Sequence, residues 1–197
     1  MNLTTIKDKK SILLSNIYPT LHSPSTLSGN VIYAETKGMY QMVMAFSFDL
    51  PNGDIAHITE SIMAKYNITF PELISAINQN PYNYVFEKLS SFLGIEDDAP
   101  LYVLTNSNTH YGAGALCINR IMQHIIDTIQ DDFYIFPSSV HELIIAPVTS
   151  LEFNKNELPR MVHTINQEVV ESKDRLSNHV YYLNYKEKSI TTIPYTE

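Results

Sequence analysis

The amino-acid sequence predicts an α+β domain in which antiparallel strand pairs carry helices packed on one face. Three observations predict it. Strand-like runs come in pairs joined by short turns, as in Phe133–Phe136 and Glu142–Ala146, and parallel strands would need a crossover of about a dozen residues or more. Helical stripes stand between the pairs, the clearest being Ile121, Met122, Ile125, Ile126 and Ile129. No internal repeat or low-complexity tract runs through the chain, which excludes a solenoid.

The elements follow in order. Residues 3–14 are expected to form a short helix that docks on the body. Residues 15–30, rich in Ser, Thr and Pro, lack either periodicity and read as loop. Met39–Phe48 reads as a strand, Asp49–Asp54 as a turn whose Asn-Gly accepts positive φ, and Ile55–Thr59 as the returning strand. A short helix is expected up to Tyr66. Thr69-Phe-Pro-Glu72 has the form of a helix start, with Thr as N-cap and Glu three residues on. Leu73, Ile74 and Ile77 share its stripe, and Asn80-Pro81 ends it. Val85, Phe86, Leu89, Phe92 and Leu93 carry helical spacing up to Gly94, and Glu96–Asp98 forms an acidic turn. Leu101–Thr105 and Ala113–Ile118 read as a second strand pair. Asn119 then opens the Ile-rich helix, and Asp131-Asp132 closes it. Asn154 opens a last helix with Leu158, Met161, Val162 and Ile165 facing inward. Residues 178–185 and 189–193 read as a final strand pair. The organisation expected is a poorly patterned segment, residues 1–30, ahead of one α+β domain, residues 31–197. The rhythm within that domain suggests two related halves, about 39–96 and 97–197.

Composition narrows the function classes. With 44% hydrophobic residues the chain can fill a core, which argues against global disorder. No run of apolar residues is long enough to span a membrane. The net charge of −8 divides into +2 over residues 1–40, −6 over 41–100, −3 over 101–150 and −1 beyond. An acidic body disfavours nucleic acid, which needs clustered Lys and Arg; Lys7, Lys9 and Lys10 form too small a cluster to reverse that. One cysteine, Cys117, in an apolar run, points to a buried thiol and to a reducing, cytoplasmic setting.

Several blocks carry a resemblance. Leu101–Asn106, Gly112-Ala113, Asp132-Phe-Tyr-Ile-Phe-Pro-Ser-Ser-Val-His-Glu-Leu-Ile-Ile145, Met161–Asn166 and Leu176-Ser-Asn-His-Val-Tyr181 resemble an uncharacterised bacterial family, a domain of unknown function from anaerobic Firmicutes. The likeness runs from about residue 40 to 185. Members of that family carry a longer N-terminal region, and the first 40 residues here are unlike it. The resemblance implies a bacterial cytoplasmic protein and supplies no reaction, cofactor or substrate.

Candidate chemistry concentrates in Pro137-Ser-Ser-Val-His-Glu142. A Ser hydroxyl needs an adjacent base to become a nucleophile. Ser138 or Ser139 with His141, oriented by Glu142 or Asp132, would be the catalytic set, and extended alternation puts Ser139 and His141 on one face. Pro-Ser-Ser is equally good turn chemistry, and a structural turn outweighs catalysis. His141-Glu142 lacks the second histidine of a zinc-protease helix. His57, His141 and His179, with His163 as a fourth imidazole, could hold a metal only if the fold brought them together. Ser177 and His179 share a face of the last strand pair, which reads first as packing. Gly112-Ala-Gly114 lacks the third glycine of a dinucleotide loop, and no cofactor is expected. Thirteen tyrosines, including Tyr181, Tyr182 and Tyr185, offer amphipathic surface suited to interfaces. The expectation is a non-catalytic binding or protein-interaction module, self-associating or with a protein partner. The alternative is a hydrolase using Ser138 or Ser139 with His141 and an acid.

Overall fold

A computed structural model describes residues 3–97, 99–150 and 154–196. Asp98 of the expected acidic turn lies outside the described residues. The architecture is α+β, built on two antiparallel sheets.

The first sheet centres on β3 (Val43–Asp49), flanked by β1 (Tyr18–His22) on one side and by β2 (Tyr33–Glu35) and β4 (Ile55–His57) on the other. Its alternation is strict. Leu21, Met44 and Phe46 point into the main core, where they meet Leu73 and Ile77 of α3 (Phe70–Gln79). Thr20, His22 and Ser47 point to the opposite face. Before it lies α1 (Leu3–Asn16), tied to the start of α3 by an ion pair between Lys10 and Glu72 at 2.8 Å. Between them α2 (Glu60–Tyr66) is N-capped by Thr59 and ends at Asn67 in the left-handed region. The capping box expected at Thr69 and Glu72 is present, and the Lys10 ammonium beside it helps hold the Glu72 carboxyl down to about 2.

The second sheet has the order β10-β9-β7-β8-β6-β5. Its strands are β5 (Tyr84–Lys88), β6 (Tyr102–Asn106), β7 (Phe133–Phe136), β8 (Leu143–Pro147), β9 (Val180–Asn184) and β10 (Ser189–Ile193). One face presents Leu104, Phe133, Ile135, Leu143, Ile145 and Leu183 to α5 (Asn119–Ile129), whose Ile121, Ile125 and Ile126 are buried. This core is continuous with the first sheet's inner face. The other face presents Tyr134, Phe136, Ala146 and Val180 to Leu158 and Val162 of α6 (Leu158–Glu168), which adds a second, smaller layer.

Four local expectations are corrected. The supposed loop 15–30 contains β1, an edge strand, where Pro19 costs little because its missing N–H is needed least at an edge. The helix expected over 85–93 is divided: residues 84–88 pair with β6, and only Leu89–Leu93 form a helix, α4, closed by Gly94 at φ +66°. Ala113–Ile118 is not a strand, because Gly112–Cys117 winds into a 3-10 segment wedged against β1 and β6. Cys117 therefore sits in that segment rather than in a strand, and burial pushes its thiol up to about 12. Finally, Met161 and Ile165 do not face inward, being 39% and 45% exposed.

Candidate functional site

The segment that carried the sequence's candidate chemistry is the connection between β7 and β8. Backbone bonds tie it down: Ser139 N–H donates to the Glu142 carbonyl at 3.2 Å, Val140 N–H to the Asp174 carbonyl at 2.8 Å, and Ala113 N–H to the Val140 carbonyl at 3.3 Å. Within it the side chains divide. Ser139 Oγ donates to Glu142 Oε1 at 2.8 Å and accepts the His141 backbone N–H at 3.0 Å, while Ser138 Oγ donates to the same Glu142 oxygen at 3.2 Å. The His141 ring turns elsewhere. Its Nδ1 accepts the Tyr111 backbone N–H at 3.2 Å, so the proton rests on Nε2, which lies 3.6 Å from Asp174 Oδ1. His110 stacks on it at 5.2 Å. The serine hydroxyls thus point at a carboxylate, and the imidazole belongs to a separate Tyr111–His141–Asp174 contact.

This arrangement makes Ser139 a small polar strut. The residue is buried, and its hydroxyl closes the turn in the manner of a local cap. Ser139→Ala is expected to cost about 1–3 kcal/mol, since it strips one partner each from a carboxylate and a partly buried N–H. Urea unfolding checks this, and a loss below about 0.5 kcal/mol would show the turn closing without the hydroxyl.

The remaining candidates lie apart. Asp132 accepts the Tyr185 backbone N–H at 2.8 Å and the Tyr182 hydroxyl, which together hold its carboxyl below the usual range. It anchors the β9 end rather than the serines. Buried His179 accepts the Tyr195 backbone N–H on Nδ1 at 2.8 Å, and burial lowers its basicity. Its own N–H bonds Ser177 Oγ at 2.9 Å, a hydroxyl that Tyr181 also meets at 2.8 Å. His163 stacks on Tyr195 at 4.4 Å. His57 belongs to the first sheet. Among the described residues no three His, Cys, Asp or Glu side chains converge, so His57, His141 and His179 are not brought together.

Two features were not read from the sequence. One is a buried polar chain on the outer face of the first sheet. It runs from His22 Nε2 to Thr20 Oγ1 at 2.9 Å, on to Ser47 Oγ at 2.6 Å and to His57 Nδ1 at 2.9 Å. The two rings meet edge to face at 4.9 Å. Its signal was the alternation Tyr18, Thr20, His22 inside the supposed loop. The other is an apolar groove of about 340 Å³ beside α6. Its floor is Phe136 and Ile144, its walls Leu89, Leu101, Met161, Val162 and Ile165, and its polar groups Ser138 and Asn166. Asn166 is pinned, its amide donating to the Ser177 carbonyl and Asn178 Oδ1, both at 3.0 Å. The groove therefore opens beside the Ser138 end of the β7–β8 connection.

No helix among the described residues is long and apolar enough to cross a membrane. No curated protein and no solved structure matches the chain. A family model described as "Family of unknown function (DUF5688)" matches residues 42–185, from the start of β3 through β9. That span covers well over half of the chain, and the protein therefore belongs to this family of unknown function, DUF5688.

Proposed function

We propose that this protein is a non-catalytic interaction module that takes an apolar segment of a protein partner in the groove beside α6. The observation that carries the reading is the exposed stripe on that helix. Met161 and Ile165 of α6 and Val169, its C-cap, follow one another at intervals of four, and they are 39%, 45% and 77% exposed. The first two form a wall of the groove. A helix normally turns such a stripe into its core, and contiguous exposed apolar surface marks an interaction site. Laying an apolar peptide into such a trough is a common recognition mode. The hydrolase alternative has less support, because Ser139 and Ser138 meet Glu142 rather than an imidazole. A cytoplasmic setting is part of the proposal, supported by the chain's single cysteine.

The test uses a displayed library of random peptides selected on the full chain. Apolar peptides are expected to emerge, and Ile165→Asp is expected to weaken them about tenfold or more, equivalent to ~1.4 kcal/mol, without changing the unfolding midpoint. Peptides that bind the variant equally, or a selection that yields none, would reject the groove as the site. Sedimentation of the free chain tests the self-associating form: a dimer that Ile165→Asp dissolves would make a second copy the occupant.

A further inference from the structure

Strand β10 leaves its ladder at the pair Ile193 and Val180. Up to that point it is well held. Thr192 Oγ1 donates to the Gly38 carbonyl at 2.8 Å and accepts the Tyr40 N–H at 3.0 Å. Pro194, which has no N–H, then opens a short strap, residues 194–196. Among the described residues the strap makes one hydrogen bond, from the Tyr195 N–H to His179 Nδ1 at 2.8 Å. Its ring contact is the stack of Tyr195 on His163 of α6, 4.4 Å between centroids and 15° from parallel.

Closing this strap has a cost on both histidines. Because His179 Nδ1 accepts a hydrogen bond, its proton sits on Nε2, and Nε2 is buried with no partner among the described residues. His163 Nδ1 is buried without a partner there as well. Two desolvated imidazole nitrogens thus meet at one tyrosine, and each is costly to keep from water. One hydrogen bond and one stack hold the strap against that cost.

We propose that residues 194–196 form a pH-sensitive strap, latched by neutral His179 and released when that ring takes a second proton. A charged imidazole carries N–H on both nitrogens. Nδ1 could then no longer accept, and its proton would face the Tyr195 N–H. The titratable groups around the ring are Tyr40, stacked on it at 5.6 Å from the loop before β3, Tyr195 of the strap with His163 of α6 behind it, and Tyr181 of β9, reached through Ser177. None of these is a carboxylate, so they offer an imidazolium no opposite charge. The Tyr40 stack does not discriminate between the two states, because Tyr40 is tied to Thr192 ahead of the strap. His141 uses the same Nδ1 geometry, but Asp174 stands 3.6 Å from its Nε2 to receive the charge. Burial lowers the basicity of His179 in the closed state.

The sign follows. With the strap lifted the ring titrates near the ordinary value of about 6.5, and with it closed the ring titrates lower. The latch is therefore at full strength above about pH 6.5 and is lost as the pH falls through the closed-state value. Between the two, one proton enters on opening, and the closed-to-open ratio falls by up to about tenfold per pH unit. None of this depends on what the groove takes.

The experiment is nuclear magnetic resonance of the isotope-labelled full chain, titrated from about pH 8 to about pH 5. At the upper end His179 is expected to carry its proton on Nε2, with a Tyr195 amide order parameter of about 0.85. At the lower end that order parameter is expected to fall below about 0.6, with the same midpoint as the His179 ring. His179→Asn places a non-titrating oxygen where Nδ1 stood and should keep the strap ordered throughout. His179→Phe keeps a ring on Tyr40 without an acceptor and should leave the strap mobile throughout. His22→Gln, which changes the first sheet, should leave the strap's midpoint unmoved. A strap that stays ordered while His179 titrates, an opening with a different midpoint, or a neutral ring protonated on Nδ1 would each overturn the proposal. So would a ring that stays neutral until the chain unfolds, an ordered strap in His179→Phe, or a strap in His179→Asn that loosens on acidification.

Discussion

Gly114→Ala is expected to be among the most damaging single-methyl changes in the chain, costing about 3 kcal/mol or more and lowering the melting midpoint by roughly 6–12 °C. The cause is space rather than conformation. A Cβ on Gly114 would overlap the Pro19 carbonyl and come within 2.9 Å of Thr20 Cα. Both neighbours are backbone of β1, whose five-residue register with β3 leaves it little room to move. The 3-10 segment lies flat on β1 only because this residue has no side chain. Two positions earlier, a Cβ on Gly112 would overlap Asn106 N and lie 2.7 Å from the His141 carbonyl, so Gly112→Ala should be comparably harmful. Gly29 is the control. It has open space around it at φ +72°, and Gly29→Ala should cost only about 1–2 kcal/mol of left-handed strain. Denaturant unfolding of the three variants decides the matter. Similar small losses for all of them would show that the segment shifts freely and that its contact with β1 is loose.

Those glycines also show how far the sequence could be read. Gly112-Ala-Gly114 stood out as an incomplete nucleotide loop, and what it does instead is let the 3-10 segment pack between the two sheets. Nothing local announces this. Ala113–Ile118 is a short apolar run, and such a run fits a strand, a helix turn or a 3-10 segment equally well. Elements with a long period or a cap were legible, α5 from its isoleucines and α3 from Thr69 and Glu72. β1 was hidden because Thr20 and His22 make one of its buried faces polar, so composition suggested loop. The site followed the same rule. Ser139 and His141 are neighbours in sequence and were expected to share a face. The turn sends the hydroxyl to Glu142 and the ring to Tyr111, a division set by contacts with a distant segment. The groove was illegible for a related reason: Met161 and Ile165 look like core residues until the fold shows them 39% and 45% exposed among the described residues.

The polar chain on the first sheet carries the second large effect, a loss of stability on mild acidification. Burial, with His57 beside it, pushes His22 down to about 4 from its ordinary value near 6.5. His57 is lowered by burial as well. With their rings 4.9 Å apart, charging both is worse than charging either. In the unfolded chain each titrates near 6.5, so between that value and about 4 the unfolded state binds protons that the folded state refuses. Stability is therefore full above about pH 6.5 and falls as the pH drops through about 4. His22 alone accounts for about 3 kcal/mol of that fall. The carboxylates lowered in the fold, Glu72 and Asp132, release their contribution only below the ordinary carboxylate range, near 4. The upper part of the window thus belongs to the imidazoles. Urea unfolding measured from about pH 7 to about pH 4.5 should show the decline, and His22→Gln, which keeps a hydrogen-bonding group beside Thr20 without a titrating ring, should flatten much of it. Wild-type stability that is level across this window, or a His22→Gln slope equal to wild type, would mean that the pair takes up protons in the folded state and that the chain is open to water.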